Sequence, residues 1–153
     1  MSITVKVTGL TEIEQALADL PKATAKNVVR RVLKTRAQPI AEAARRRAPV
    51  DQGDLRASIT VGTKLSKTQR GKHRKRTPGT VEMFIGAGPH PQAHLQEFGT
   101  VNNPPQSFMR PAWDGGKDAL LAGLKDDLWD EIKKASARLA KKAAKAAAAA
   151  DEG

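Results

Sequence analysis

The spacing of apolar residues predicts a long helix in the first third of the chain. Between Lys22 and Ala48 apolar residues recur every three or four positions, which is the spacing of one buried helical stripe. Pro39 interrupts this stretch, and an internal proline removes a backbone donor, so we expect a kink or a break near Gln38. Pro49 ends the helix.

A second long amphipathic helix is predicted near the carboxyl end. Large apolar residues recur at helical spacing from Trp113 to Leu139. Residues 140–153 are mostly lysine and alanine, which favour a helix but offer nothing to pack. We therefore expect a helical or frayed extension after Leu139.

Alternation with a period of two predicts short strands at residues 3–7, 55–61 and 81–87. The last two strands each have one apolar face, so they are expected to pair as an antiparallel hairpin with a long polar tip at residues 64–79. Between the first two strands, Thr11 and Glu14 have the spacing of a capping box, which predicts a short helix that Pro21 closes.

These elements predict an α+β fold, in which a small antiparallel sheet with a long-tipped hairpin packs against two long α-helices. Residues 1–139 are expected to form a single domain, with residues 64–79 as a basic hairpin arm and residues 140–153 as the extension. Another short helix or strand is expected at residues 93–98.

The composition predicts a thin hydrophobic core. Of 153 residues, 39% are hydrophobic, but 25 of these residues are alanines, and the chain has only three Phe, two Trp and no Tyr. Burying alanine contributes much less than burying leucine or phenylalanine. We therefore expect neighbouring subunits to supply part of the stability.

The net charge of +11 is unevenly distributed. Residues 22–47 contain nine Lys or Arg and only one acid, and residues 64–76 contain seven and none. Such regions favour polyanions, either nucleic acid or an acidic protein surface. The alternative is a solvated loop. Without aromatic residues in the arm, any nucleic-acid contact would be to phosphates. The candidate contact residues of the arm are Lys64, Lys67, Arg70, Lys72, Arg74, Lys75 and Arg76.

The sequence gives weak support to catalysis, cofactors or metals. His90, His94 and Glu97 are the one cluster of metal-ligand types, and flanking prolines favour a turn there instead. Asp51 and Asp54 lie in a helix-to-strand turn, where Asp usually bonds its own backbone. With no cysteine, no phosphate-binding loop and no apolar run long enough for a membrane span, we predict no catalytic, cofactor, metal or membrane site.

Three separated blocks, at residues 49–59, 93–100 and 108–112, carry a family pattern. Its residues are Pro49, Gly53, Leu55, Arg56, Ser58, Glu97, Phe98, Gly99, Thr100, Phe108, Arg110 and Pro111. With these blocks in this order, most of the chain resembles the HK97 gp10-like phage proteins, which are tail-completion or neck components of long-tailed bacteriophages. Family members often have an aromatic residue in the place of Leu95, and the resemblance does not extend to the Lys/Ala tail.

The resemblance implies a non-enzymatic structural virion protein. It would form a ring at the head-tail junction or the top of the tail, as a tail-completion, neck or tail-terminator protein, and stabilise head-tail joining around the DNA channel. Implied partners are roughly six or twelve copies of the chain itself, the adjacent head-tail connector or adaptor, tail-tube proteins and the phosphates of packaged DNA. The protein would be assembled in the host cytoplasm and reside in the virion.

In such a ring, Gly53 and Gly99 would permit sharp turns, and Glu97 would pair with Arg56 or Arg110, either within a subunit or between subunits. The large apolar anchors would be Leu55, Ile59, Phe98 and Phe108. Two other functions fit the residues: a basic, sequence-nonspecific DNA-binding protein, and a small metal-dependent nuclease or toxin that uses the histidines.

Overall fold

A computed structural model describes residues 10–50, 53–74 and 78–152 of the chain. The strand predicted at residues 3–7 lies outside these residues. The described part contains six helices and two strands. They are α1 (Thr11–Ala18), α2 (Lys22–Arg47), α3 (Asp54–Ser58), β1 (Thr60–Gly62), α4 (Lys67–Lys72), β2 (Phe84–Gly86), α5 (Ala93–Phe98) and α6 (Met109–Asp151). The α+β class is confirmed, in a form that is mostly helical.

The two long helices, α2 and α6, pack along one another in opposite directions. Arg31 pairs with Glu131 near one end of the contact, and Ile40 lies against Gly116 near the other. Helix α2 passes through Pro39 without the break that we allowed for. The adjacent residues Ile40 and Ala41 are buried against the core, and this packing offsets the hydrogen bond that proline cannot make.

The hydrophobic core consists of two clusters along the α2–α6 contact. One joins Val28 and Val32 of α2 to Leu128 and Ile132 of α6, with Ile13 of α1 covering them. The other lies at the sheet end and holds Ile40, Ala41, Ala44, Ala48, Leu55, Ile59, Ala87, Phe108 and Ala112. Five of these nine residues are alanine, so the core is thin where the sheet meets the helices.

The two strands form a two-stranded antiparallel sheet, in which Val61 pairs with Ile85. The strand predicted at residues 55–61 is wrong in its first half, because residues 54–58 form α3. Gly53 has a φ of 85°, which turns the chain after α2 and permits a helix to start at Asp54. Leu55 and Ile59 are both buried, and their spacing of four fits a helical turn as well as alternation does.

The capping box predicted at Thr11 and Glu14 is also wrong. The residue before α1 is Leu10, and no side chain caps this helix. A capping box occurs instead at the start of α4, where Ser66 accepts from the Gln69 backbone N–H and the Gln69 side chain accepts from the Ser66 N–H.

Helix α6 continues far past the last apolar residue of its stripe. Leu139 is half-buried, whereas every residue from 140 to 152 is exposed. The extension is helical to Asp151. Across the described ranges, no helix combines the length and apolar character required to cross a membrane.

Two ion pairs join the faces of α2 and α6. The Arg36 guanidinium binds both carboxylate oxygens of Asp127, with Nη2 and Oδ1 2.8 Å apart. Arg31 Nη1 lies 2.7 Å from Glu131 Oε2. These hydrogen bonds hold the pKa of Asp127 and the pKa of Glu131 below their ordinary values, against the opposing effect of desolvation.

We expect alanine at two adjacent glycines of α6 to have opposite effects. A Cβ at Gly116 would lie 2.5 Å from Ile40 Cγ1, whereas a Cβ at Gly115 meets nothing within 4 Å. Alanine is favoured over glycine in a helix by about 1 kcal/mol, so Gly115→Ala should stabilise. Gly116→Ala should lower the free energy of unfolding by about 1–3 kcal/mol through overpacking. Urea titrations of both variants test this, and equal stabilities would contradict the close packing.

The Arg36–Asp127 pair should make stability depend on pH. Because the pKa of Asp127 is lowered by folding, its contribution is present above the pKa of an unfolded aspartate and is lost as the pH falls through the folded value. Asp127→Asn should therefore be less stable than the wild type at neutral pH, and the difference should shrink in acid. Urea midpoints across this pH range measure it, with the exposed Asp118→Asn as control. A difference that persists unchanged in acid would contradict the assignment.

Candidate assembly interface

The structure brings the first two sequence blocks together. Residues that follow α2 and residues around α5 line one open cleft with a volume of about 240 Å³. Its lining residues are Pro49, Gly53, Asp54, Leu55, His90, Pro91, Gln92 and Gln96. The family-pattern turn and the α5 block, forty residues apart in sequence, are thus neighbours in the fold.

Glu97 joins the second block to the third. Its Oε2 accepts hydrogen bonds from the backbone N–H groups of Phe108 and Met109, at 2.8 and 2.9 Å, and its Oε1 accepts one from Arg110 N–H at 2.9 Å. These N–H groups lie at the start of α6, where a helix has no internal acceptors and carries a partial positive charge. Within the described chain Glu97 therefore binds the amino terminus of a helix and not the side chain of Arg56 or Arg110, and a pair between subunits stays a prediction.

The loop between α5 and α6 is fixed by hydrogen bonds along its length. Thr100 N–H donates to Asn103 O at 2.9 Å, Gln106 N–H to Gln96 O at 2.8 Å, and Ser107 Oγ to Glu97 O at 2.7 Å. Gly99 has a φ of 76°, and a Cβ there would lie 2.9 Å from Asn103 O. Glycine is thus required by both the backbone conformation and the close approach of the loop.

Helix α5 and this fixed loop present large apolar side chains to solvent. Phe98 is 70% exposed, Val101 is fully exposed, and Leu95 is 42% exposed. We call these three residues the apolar ridge. Phe108, in contrast, is buried, as are the predicted anchors Leu55 and Ile59. Of the four anchors, only Phe98 faces outward.

The remaining pattern residues reinforce the turn after α2. Arg56 Nη2 donates to Ala48 O at 3.4 Å, and Ser58 Oγ donates to Leu55 O at 2.7 Å. Sequence reasoning missed Arg45, whose Nε and Nη2 both donate to Ile59 O, at 3.0 and 2.7 Å. Arg45 lies in a run of three arginines, and only the fold distinguishes it from Arg46 and Arg47.

A comparison with protein families covers the first block and nearly all of the second. The sequence model described as "Bacteriophage HK97-gp10, putative tail-component" matches residues 11–99 of this chain. The chain belongs to this HK97 gp10-like family. The resemblance seen in the sequence is confirmed, and the chain is a bacteriophage structural protein of the tail-component type. Searches of curated proteins and of solved structures each found no significant match.

The family match covers α1 to α5, and therefore includes the basic arm. The structure describes Lys64, Lys67, Arg70, Lys72 and Arg74, all of which are exposed, whereas Lys75 and Arg76 lie outside the described residues. Gln69 Nε2 donates to Gly88 O at 3.2 Å, which ties α4 to the segment after β2. At the carboxyl end of α4, the His73 ring lies edge-on to Phe84 of β2, with centroids 5.2 Å apart.

The histidines of this family member were candidates for a metal site. In the parts of the chain that the structure describes, no three His, Cys, Asp or Glu residues are arranged to hold a metal ion. His90 Nδ1 accepts a hydrogen bond from the Gln92 N–H at 3.4 Å, and the carboxylate of Glu97 is engaged by α6.

We expect Glu97→Gln to lower the stability of this protein. Glutamine keeps one acceptor oxygen but loses the second and the negative charge at the amino end of α6, and caps of this kind contribute about 0.5–2 kcal/mol. The free energy of unfolding, measured with urea, should fall within that range. Glu42→Gln, an equivalent change at an exposed position of α2, serves as control. Equal stability of both variants would contradict the capping role of Glu97.

Proposed function

We propose that this family member is a non-enzymatic virion protein that forms a ring at the head-tail junction or the top of the tail. It would act there as a tail-completion, neck or tail-terminator protein and stabilise head-tail joining around the DNA channel. The observation that supports this proposal best is the apolar ridge, Leu95, Phe98 and Val101, held outward by a hydrogen-bonded loop.

The position of the ridge favours contact with another protein. Large apolar side chains that a rigid backbone holds in solvent are typical of interaction sites, and aromatic residues are enriched among the anchors of interfaces. The chain has only three Phe residues, and it exposes one of them while five alanines fill the core beneath the sheet. Burial of the ridge would supply apolar contact that the core lacks.

A ring is the assembly that suits such a surface. When the ridge of one copy contacts a different surface of the next, the contact is heterologous, and a suitable rotation closes it into a ring. We infer that this ring joins the adjacent head-tail connector or adaptor to the tail tube. The basic arm at residues 64–79 would extend from the sheet toward a neighbouring copy, the tube or the DNA.

We expect the double variant Phe98→Ser, Val101→Ser to remain folded but fail to assemble. Both side chains are exposed, so the monomer should keep its helix content in circular dichroism. Loss of an interface anchor costs about 2 kcal/mol or more, which is roughly a thirtyfold loss in association constant at each contact. Native mass spectrometry of the purified protein measures assembly, and complementation of a phage that lacks this protein measures head-tail joining.

Trp113→Gln provides the matched control, because Trp113 is as exposed as Leu95 but lies on α6. It should assemble and complement normally. A wild type that stays monomeric at high concentration and with tail-tube extracts, or a double variant that complements fully, would overturn the proposed function.

A further inference from the structure

The cations of α6 are concentrated in its second half. From residue 114 to residue 131 the helix carries six acids and two lysines, and from 132 to 150 it carries six cations and no carboxylate. Two acids of the first half, Asp127 and Glu131, bind arginines of α2, and Glu131 Oε1 also lies 3.4 Å from Lys134 Nζ. The cations that follow Lys134 need a different explanation.

These cations lie along one side of the helix. At 3.6 residues per turn, five of them fall within an arc of about 100°. They are Lys134, Arg138, Lys141, Lys142 and Lys145. They extend over about 16 Å of helix, all are exposed, and those after Leu139 lie on the part of α6 that projects beyond the core. We call this row the cationic stripe.

The antiparallel packing places further positive charge beside the stripe. The hydrophobic cluster that contains Ala135 and Leu139 also contains Ala25 and Val28, so the first turns of α2, with Lys22 and Lys26, lie at the same end of the molecule. Helix α1 packs there too and contributes the exposed acids Glu12 and Glu14, and the exposed Asp19 follows it. Cations nevertheless outnumber acids at this end.

The stripe is unfavourable to the isolated helix. Like charges three or four residues apart destabilise a helix, and an exposed helix is normally supported by alternating acids and bases at those spacings. Arg138 has cationic neighbours three residues away at Lys141 and four residues away at both Lys134 and Lys142. A bound polyanion would relieve this repulsion along the whole row.

We propose that the cationic stripe binds the phosphate backbone of duplex DNA without reading its sequence. Protein interfaces are usually anchored by large apolar or aromatic side chains, and α6 has none after Leu139, which favours DNA over an acidic protein surface. Duplex DNA carries a negative charge about every 1.7 Å of its axis, which suits a straight row of cations. All side chains at 140–150 other than the three lysines are alanine, so the rod is slim enough for a major groove about 12 Å wide.

This inference goes beyond the proposed ring function, because the stripe lies on one chain and binding requires no ring. The stripe is also distinct from the basic arm at residues 64–79. Since it has no aromatic residues for base stacking and no amide side chains for reading base edges, its contacts are electrostatic and should weaken steeply with salt.

The test compares two triple variants of the full-length protein. One is Lys141→Gln, Lys142→Gln, Lys145→Gln in the stripe, and the matched one is Lys67→Gln, Arg70→Gln, Lys72→Gln in α4. Both remove three positive charges from exposed helical positions. Glutamine is a good helix former, so helix content should be unchanged in circular dichroism. Fluorescence anisotropy with a labelled random-sequence duplex is measured over a range of salt concentrations.

We expect the wild type to bind and the stripe variant to bind at least about tenfold more weakly at low salt. The slope of log K against log salt concentration should decrease by about three in the stripe variant, and the α4 variant should lose less on both measures. No binding by the wild type at low salt would overturn the inference, as would an equal or greater loss in the α4 variant. Assembly of the protein, measured separately by native mass spectrometry, reports on the ring alone.

Discussion

The structure depends on the close approach of α2 and α6. Ala41 and Ala44 of α2 are completely buried, and Gly116 of α6 leaves room for Ile40. Small residues let the helix backbones approach closely, so a chain with few bulky side chains still builds a continuous core. Because small residues fill much of the core, large apolar residues can lie on the surface, and Phe98 is the clearest example.

Glu97 connects this helical layer to the surface that we assign to assembly. Three backbone N–H groups at the start of α6 donate hydrogen bonds to its carboxylate. The adjoining loop also donates to the backbone carbonyls of Gln96 and Glu97. The apolar ridge is therefore held by the same residues that position α6. Ridge and helix cannot move independently without breaking charge-assisted hydrogen bonds, which are among the stronger polar contacts in proteins.

Charge is distributed along α6 according to what each half contacts. Its first half faces α2, whose arginines bind Asp127 and Glu131 and lower the pKa of each carboxyl. Its second half carries the cations of the stripe, which face solvent, and the helix projects beyond the core after Leu139. One continuous helix thus combines an internal electrostatic contact with an exposed cationic surface, and its charge changes from mainly negative to positive after Glu131, before the hydrophobic stripe ends at Leu139.

The sequence by itself determined the two long helices, the α+β class, the helical extension and the family, because helical periodicity and short turn motifs are local properties. It misassigned residues 54–58, where the alternation of Leu55, Ala57 and Ile59 also satisfies a helical spacing of four. Only the tertiary structure decided that Glu97 binds a helix terminus and that Arg45, unlike its neighbours, donates to Ile59 O. It also decided that Phe98 faces outward while Phe108 is buried. Each of these depends on contacts between residues that are distant in sequence, and local patterns carry no information about such contacts.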